Sequence, residues 1–331
     1  MRLIITVGDC NGIGIEVMLK AIIAFDAEFE NPFDYEIAIS SNYETLKEYT
    51  ENFSTILNFE KDGFYINNRF CKILNCPTKH KIEFGKVSQS AGKLSAEAIE
   101  FAIEKMIKGE YDCIVTMPVS KEALYKANWQ YPGHTEMLAD RCNVQKPLMI
   151  LCTSSIRVAL VTIHIPLKEV QGSITIDNLL NISRIFCKSL KQDFGINEPK
   201  IAMLGLNPHA GEKGSIGTEE TEILVPAIEL CQKEKISFEG PFPADGFFAH
   251  GEYKQYDGIL AMYHDQGLIP LKLLAQGKGV NFTAGLPIIR TSPDHGTGFS
   301  IAGKGIADES SALEAIKMAI DIVNNRKKYK I

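Results

Sequence analysis

Three of the chain's seven histidines stand just beyond an apolar run: His164 in VALVTIHIPL, His209 in IAMLGLNPHAGE and His264 in GILAMYHDQG. Short continuous apolar runs bounded by Gly, Pro, Asn or Asp read as strands buried on both faces. In open α/β sheets, ligands collect beyond the carboxyl ends of strands, so side chains emerging there from different strands can converge on one point. Three neutral imidazoles suit a borderline divalent ion such as Zn2+, Co2+ or Mn2+ and leave positions open for substrate oxygens. The alternative is that each is an isolated, hydrogen-bonded surface or core histidine. Spacing does not separate the two readings.

From His264 onward come Asp265, Lys272, Asn281 and, within LPIIRTSPDHGTG, Arg290. Cations and an amide spread over one supersecondary unit can bind a carboxylate and a phosphate, Lys as a point charge and Arg as a bidentate fork. Solvated surface charges are the plainer reading of Lys272 and Arg290. PGHTEMLAD at 132–140 reads as a helix N-terminus, with Pro132 and Gly133 breaking the chain before a periodic run. Free backbone N–H groups there, with the Thr135 hydroxyl and the His134 ring, would form an anion pocket. Simple capping needs only Thr135. The glycine-rich turn TVGDCNGIGIEV at 6–17 fails as a dinucleotide fingerprint, because G-x-G-x-x-G needs glycine where Val17 stands. A nucleotide is better served by SPDHGTGFSIAGKGIAD at 292–308, whose glycines let backbone approach a cofactor closely.

The elements that must position these residues are visible as apolar runs: LIITV at 3–7, YEIAI at 35–39, CIVTM at 113–117, LMILC at 148–152, VALVTI at 158–163, IAMLGL at 201–206 and GILAMY at 258–263. Segments of helical period lie between several of them. Ala91 to Ile107 places Leu94, Ala98, Phe101 and Met106 near one face, and the C-terminal segment does the same with Leu313, Ile316, Ile320 and Val323. The latter opens with the capping-box spacing Ser311-Ala-Leu-Glu314. The pattern predicts an α/β fold of open sheets with helices on their faces. Residues 51–86 read as a peripheral excursion from the sheet.

At 331 residues the chain predicts two domains. Its 45% hydrophobic and 23% charged residues leave little room for long disordered tracts. A net charge of -6, with Arg326-Lys327-Lys328 the sole notable basic run and placed to cap a helix end, argues against a nucleic-acid partner. The apolar run in MRLIITVGD stops at Gly8, too short for a signal segment or a membrane span. Eight cysteines without a CxxC pair read as reduced, mostly buried thiols of a cytoplasmic protein, none with the close neighbour a zinc ligand requires.

Taken in order, TVGDCNGIGIE, MPVSK, YPGHTE, the HIPL turn at His164, LNPHAGE, GPFPAD, YHDQGLIPLK and GVNFTAGLPIIRTSPDHGTG make the chain resemble, nearly end to end, the 4-hydroxythreonine-4-phosphate dehydrogenases of vitamin B6 biosynthesis. The last motif, with IAGKGIAD, is also similar to the adenine-side loop of isocitrate and isopropylmalate dehydrogenases. The resemblance implies their two-domain fold, with open, largely parallel sheets and an inter-domain cleft that binds NAD or NADP. It places the first domain at 1–125 plus 275–331 and the second at 126–274. It implies that His164, His209 and His264 bind Zn2+, Mg2+ or Co2+ in a site shared across a homodimer. His134, Thr135, Lys272, Asn281 and Arg290 match substrate-binding positions, and Lys272 is the expected proton-transfer group. Asp245 and Asp265 would support the metal, while Asp294, His295, Gly296 and Thr297 would contact the cofactor.

The implied reaction oxidises the C3 hydroxyl of 4-phosphooxy-L-threonine and then releases CO2 to give 3-amino-2-oxopropyl phosphate. Three positions depart from the family pattern: Cys10 and Ile15 replace prolines of the opening loop, and Gly246 replaces a threonine after GPFPAD. The missing hydroxyl keeps a four-carbon sugar-acid phosphate, 4-phospho-threonate or 4-phospho-erythronate, as an alternative substrate. A metal-dependent phosphohydrolase is disfavoured because such sites carry more carboxylates near the metal. A non-catalytic descendant is disfavoured by the complete ligand set.

Overall fold

The computed structural model describes residues 1–29, 31–51, 57–131 and 133–329. Its strands are β1 (Arg2–Thr6), β2 (Glu36–Ser41), β3 (Leu57–Glu60), β4 (Gly63–Ile66), β5 (Arg69–Asn75), β6 (Cys113–Thr116) and β7 (Leu148–Cys152). There follow β8 (Arg157–Leu160), β9 (Lys200–Leu204), β10 (Ser237–Phe242), β11 (Gly258–Ala261), β12 (Val280–Ala284) and β13 (Arg290–Pro293). The chain divides into two compact units, Met1–Gln145 with Leu286–Ile320 and Lys146–Gly285 with Asp321–Ile331.

In the first unit the strand order is β13-β6-β1-β2-β5-β4-β3. The neighbours from β13 to β5 run parallel, while β4 and β3 add an antiparallel edge. Residues of β6 are buried throughout and those of β1 nearly so, as expected for strands covered on both faces. The helix Gln89–Ile107 packs Ile99, Ala102, Ile103 and Met106 into the same core as Ile4 and Ile114. Its N-terminus is capped by the Ser88 side chain, which accepts the Ala91 N–H.

The second unit orders its strands β10-β9-β11-β8-β7-β12. Here β10, β9, β11 and β8 are parallel, whereas β7 is antiparallel to both its neighbours. Its core joins Val158, Leu160, Ala202, Leu204 and Ile259 to Leu268 and Leu271 of the helix His264–Ala275.

Two expectations need correction. The stretch 51–86 is no mere excursion: β5 hydrogen-bonds in register along β2 and extends the sheet; residues 52–56 lie outside the described ones. Its alternating burial, on a strand covered differently on its two faces, hid it among polar residues. Nor does Ser311 cap the C-terminal helix. That helix spans Ser310–Tyr329, the Asp308 carboxylate accepts the Ser310 N–H at 2.8 Å, and the Ser311 hydroxyl instead accepts the Asp294 N–H at 3.0 Å. Seven of the eight cysteines are buried and all are free thiols. Among the described residues no helix is long and apolar enough to cross a membrane.

Candidate active site

The apolar runs VALVTI and GILAMY continue two or more residues past the ends of β8 and β11. These overhangs are laced together. The Val161 N–H donates to the Ala261 carbonyl at 2.9 Å, and the Thr162 hydroxyl to the Met262 carbonyl at 2.8 Å. Two residues further on, His164 and His264 therefore emerge side by side, with ring centroids 5.6 Å apart. They line a pocket of about 230 Å³ with Thr162, Ile163, Tyr263 and Asp265.

His264 opens its helix, and its Nδ1 lies 2.7 Å from Asp265 Oδ1. A carboxylate can only accept, so Nδ1 carries the proton and Nε2 keeps the lone pair that a cation needs. Imidazoles at this separation can share one ion with bonds of about 2.0–2.1 Å. The donor set thus fits a divalent metal as far as two ligands.

His209 is held differently. It lies in the turn Pro208–Gly214, where His209, Ala210, Gly211, Glu212 and Lys213 have φ of 54°, 49°, 76°, 43° and 55°. Each non-glycine residue in that left-handed region costs about 1–2 kcal/mol. Among the described residues no group of three His, Cys, Asp or Glu could hold a metal, so one chain does not gather all three predicted histidines. Gln266 ties the exit of β9 to the His264 helix: its Nε2 donates to the Gly205 carbonyl at 2.6 Å, and its Oε1 accepts the Met262 N–H at 2.7 Å. Asp245 is exposed in the first turn of the helix Ala244–Ala249 and does not line the pocket. Lys272 lies two turns along the His264 helix, and Asn281 on β12 has a buried Oδ1 with no hydrogen-bond partner.

In the first unit, Arg290 on β13 is only 3% exposed. Its Nε and Nη2 both donate to Thr116 Oγ1 at the end of β6, at 2.9 and 2.7 Å. Burial lowers its pKa to about 10, so the guanidinium stays charged at neutral pH. The predicted helix start is real: the helix His134–Arg141 follows an extended Gly133, while Pro132 lies outside the described residues. His134 is half-buried, yet its Nε2 is sealed from solvent and has no partner. Burial, reinforced by the Arg290 charge, holds its pKa well below the usual histidine range. A neutral imidazole beside a buried cation, with a polar atom left unmatched, can take up a polar ligand: the ring nitrogen has a hydrogen bond to make and the guanidinium can attract an anion.

The segment Asp294–Thr297 is pinned from two sides. Ser311 holds the Asp294 N–H, and the Thr297 carbonyl accepts the Ile13 N–H at 2.9 Å. A Cβ on Gly12 would meet that same carbonyl at 2.4 Å, so glycine there is a packing requirement. His295 Nδ1 lies 3.0 Å from the Gly296 carbonyl, and its buried Nε2 has no partner.

Several residues at these sites carried no sequence signal that set them apart. Asp9, in the opening loop, is buried with one oxygen accepting the Asn11 N–H and the other unmatched. Burial pushes its pKa up to about 6. The strand-final Thr116 and the bridging Gln266 look like ordinary polar residues until the fold supplies their partners. Asn207, inside LNPHAGE, and Glu219 and Glu220, shortly after it, could have been flagged by that motif.

Comparisons with known proteins place the whole chain in a family. The family described as "Pyridoxal phosphate biosynthetic protein PdxA" matches residues 33–319. A 4-hydroxythreonine-4-phosphate dehydrogenase of Bacteroides thetaiotaomicron is 44% identical over an alignment of 341 positions, covering 100% of this chain and 91% of the relative. The crystal structure of a Klebsiella pneumoniae 4-hydroxythreonine-4-phosphate dehydrogenase superposes with a TM-score of 0.82 at 34% identity, covering 97% of this chain and 98% of that one. A likeness of fold alone, TM-score 0.50 at 15% identity, extends to a beta-decarboxylating dehydrogenase of Thermococcus kodakarensis, over 98% of this chain and 83% of that one. With a family match over most of its length and relatives aligned end to end, the chain belongs to the 4-hydroxythreonine-4-phosphate dehydrogenase (PdxA) family.

Proposed function

We propose that the protein catalyses the metal-dependent, NAD-linked oxidation of 4-phosphooxy-L-threonine at its C3 hydroxyl, with decarboxylation to 3-amino-2-oxopropyl phosphate. The observation that carries this reading is the adjacent His164–His264 pair, its second ring oriented by Asp265. Imidazole donors favour Zn2+ or Co2+ over Mg2+. A divalent ion held by His164, His209 and His264 would supply Lewis acidity to the substrate's oxygens, and bound NAD would supply the hydride acceptor.

The chain's own residues bind and orient. Arg290, anchored by Thr116, presents a charge to an anionic end of the substrate, and the neutral His134 ring and Thr135 complete that grip. Asn281 offers its unmatched oxygen to a donor of the substrate. Lys272, or a water that it positions, returns a proton after CO2 leaves. Asp294, His295, Gly296 and Thr297 form the cofactor loop, whose fixed backbone and unmatched His295 Nε2 support that role. Asp245 joins the metal's surroundings in the same reading.

The working form in this proposal is a cytoplasmic homodimer in which the metal site is shared between subunits. The exposed apolar side chains Ile269, Leu273 and Leu274 on the His264 helix, with Leu167 beside the pocket, support an interface there. The test is NADH absorbance with purified protein, NAD and added Zn2+, Co2+ or Mg2+, offering 4-phosphooxy-L-threonine and 4-phospho-threonate in parallel. Metal-dependent turnover of the amino substrate is expected. Preference for the sugar acid would overturn the substrate assignment, and absence of metal dependence would overturn the metal centre.

A further inference from the structure

We propose that Asn207, Glu219 and Glu220 form a brace that keeps His209 in its metal-binding position, which makes Glu220 a positioning residue of the metal centre. This rests on the reading of His209 as a ligand.

Five consecutive residues, 209–213, lie in the left-handed region, and four of them carry a Cβ. Such a run persists only where its surroundings over-determine it. Glu220 is what lies against it. Although 3% exposed, it is a carboxylate, at the start of the π-helical turn Glu220–Leu224. Its Oε1 accepts the Asn207 backbone N–H at 2.7 Å and its Oε2 accepts from Asn207 Nδ2 at 2.9 Å. Asn207 Nδ2 also donates to Glu219 Oε2 at 2.7 Å. The residue two before His209 is thus gripped at backbone and side chain by two successive glutamates.

The carboxylate also sits directly beneath the turn. A Cβ on Gly211 would come within 2.5 Å of Glu220 Oε2, and one on Gly205 within 3.3 Å of Oε1. The brace reaches a second ligand-bearing segment as well: Gln171 Nε2 donates to Glu219 Oε1, and Gln171 lies in the helix Leu167–Ser173 that begins three residues after His164. Burying a carboxylate is costly unless its hydrogen bonds have a use. Here they all fall on the segment that delivers His209. A π-turn at the base of the brace is consistent with this, since such turns recur at functional sites.

Glu220→Gln keeps the size and the acceptor for the Asn207 N–H, but sets one NH2 group against another at Asn207 Nδ2. Three quantities are measured on the full chain: Co2+ and Zn2+ affinity by competition with a chromogenic chelator, NAD affinity by fluorescence, and the thermal midpoint. His209→Ala serves as reference. The brace predicts that Glu220→Gln weakens metal binding about 10–100-fold, with NAD affinity unchanged and the protein still folded at assay temperature. Wild-type metal affinity in Glu220→Gln, beside a weakened His209→Ala, overturns the brace and leaves the metal reading standing. Wild-type affinity in His209→Ala removes the metal reading and the brace with it. If Glu220→Gln does not fold, Gly211→Ala displaces the same carboxylate while keeping its charge; the same selective loss of metal is expected, and unaltered metal binding refutes the inference.

Discussion

The surroundings of Arg290 and the His164–His264 pocket both sit at strand ends, yet they handle polarity in opposite ways. Around Arg290 the charged and titratable groups are sealed: the guanidinium is 3% exposed, and His134 Nε2 has neither solvent nor partner. Protonation is shifted by desolvation, and the site is coupled to folding. Around His264 the side chains stay accessible, with His264 37% and Asp265 71% exposed. Order there comes from hydrogen bonds between strand overhangs and from a carboxylate that orients one ring. A sealed site is preorganised at a cost to stability, whereas an open one can lose a ligand with little effect on the fold.

The largest expected effect is at the open site. His264→Ala should cut turnover about 10³-fold or more, as loss of some 4 kcal/mol of metal-derived stabilisation requires, with a stability change within about 0.5 kcal/mol. A collapse of the thermal midpoint would erase the contrast. Next comes Arg290→Lys, which cannot present the same fork to Thr116 and substrate. We expect KM for the substrate to rise about 10–100-fold, and an unchanged KM in steady-state assays would remove Arg290 from the substrate grip.

Asp9 and His134 sharpen the comparison through pH. The folded-state pKa of Asp9 is raised from 3.8 to about 6, so its contribution favours the folded state below the lower value and is lost as pH rises through the upper one. Asp9→Asn should therefore be more stable than the parent at pH 7 by about 2–3 kcal/mol, measured by chemical denaturation, with the gap closing toward pH 4. His134 has the opposite sign. Its folded pKa lies well below 6.5, so its contribution is complete above that value and drains away as pH falls below it. His134→Gln should flatten the acid-side slope by up to about 1.4 kcal/mol per pH unit; an unaltered slope would mean that the ring is not sealed.

Much of this was legible without coordinates. Continuous apolar runs located most of the strands, and LMILC at 148–152 coincides with β7. The same runs could not reveal that β7 pairs antiparallel on both sides, because burial on two faces looks alike in either direction. β5 escaped because its two faces are covered differently. His164 and His264 were recognisable as strand-end residues, and the hydrogen bonds that lace the overhangs explain why they meet. His209 looked equivalent to them, but its turn runs left-handed, and no local propensity in Pro208-His-Ala-Gly predicts four strained non-glycine residues.

What the sequence determined by itself is the inventory and its periodicity: which stretches must be buried, and which imidazoles follow them. Tertiary structure decided protonation and pairing. Whether Arg290 is a solvated surface charge or a buried one, whether His134 is neutral and whether Asp9 titrates near 6 depend on groups distant in sequence and on how completely water is excluded. Desolvation and hydrogen-bond geometry are properties of the packed chain, and no local pattern of residue types encodes them.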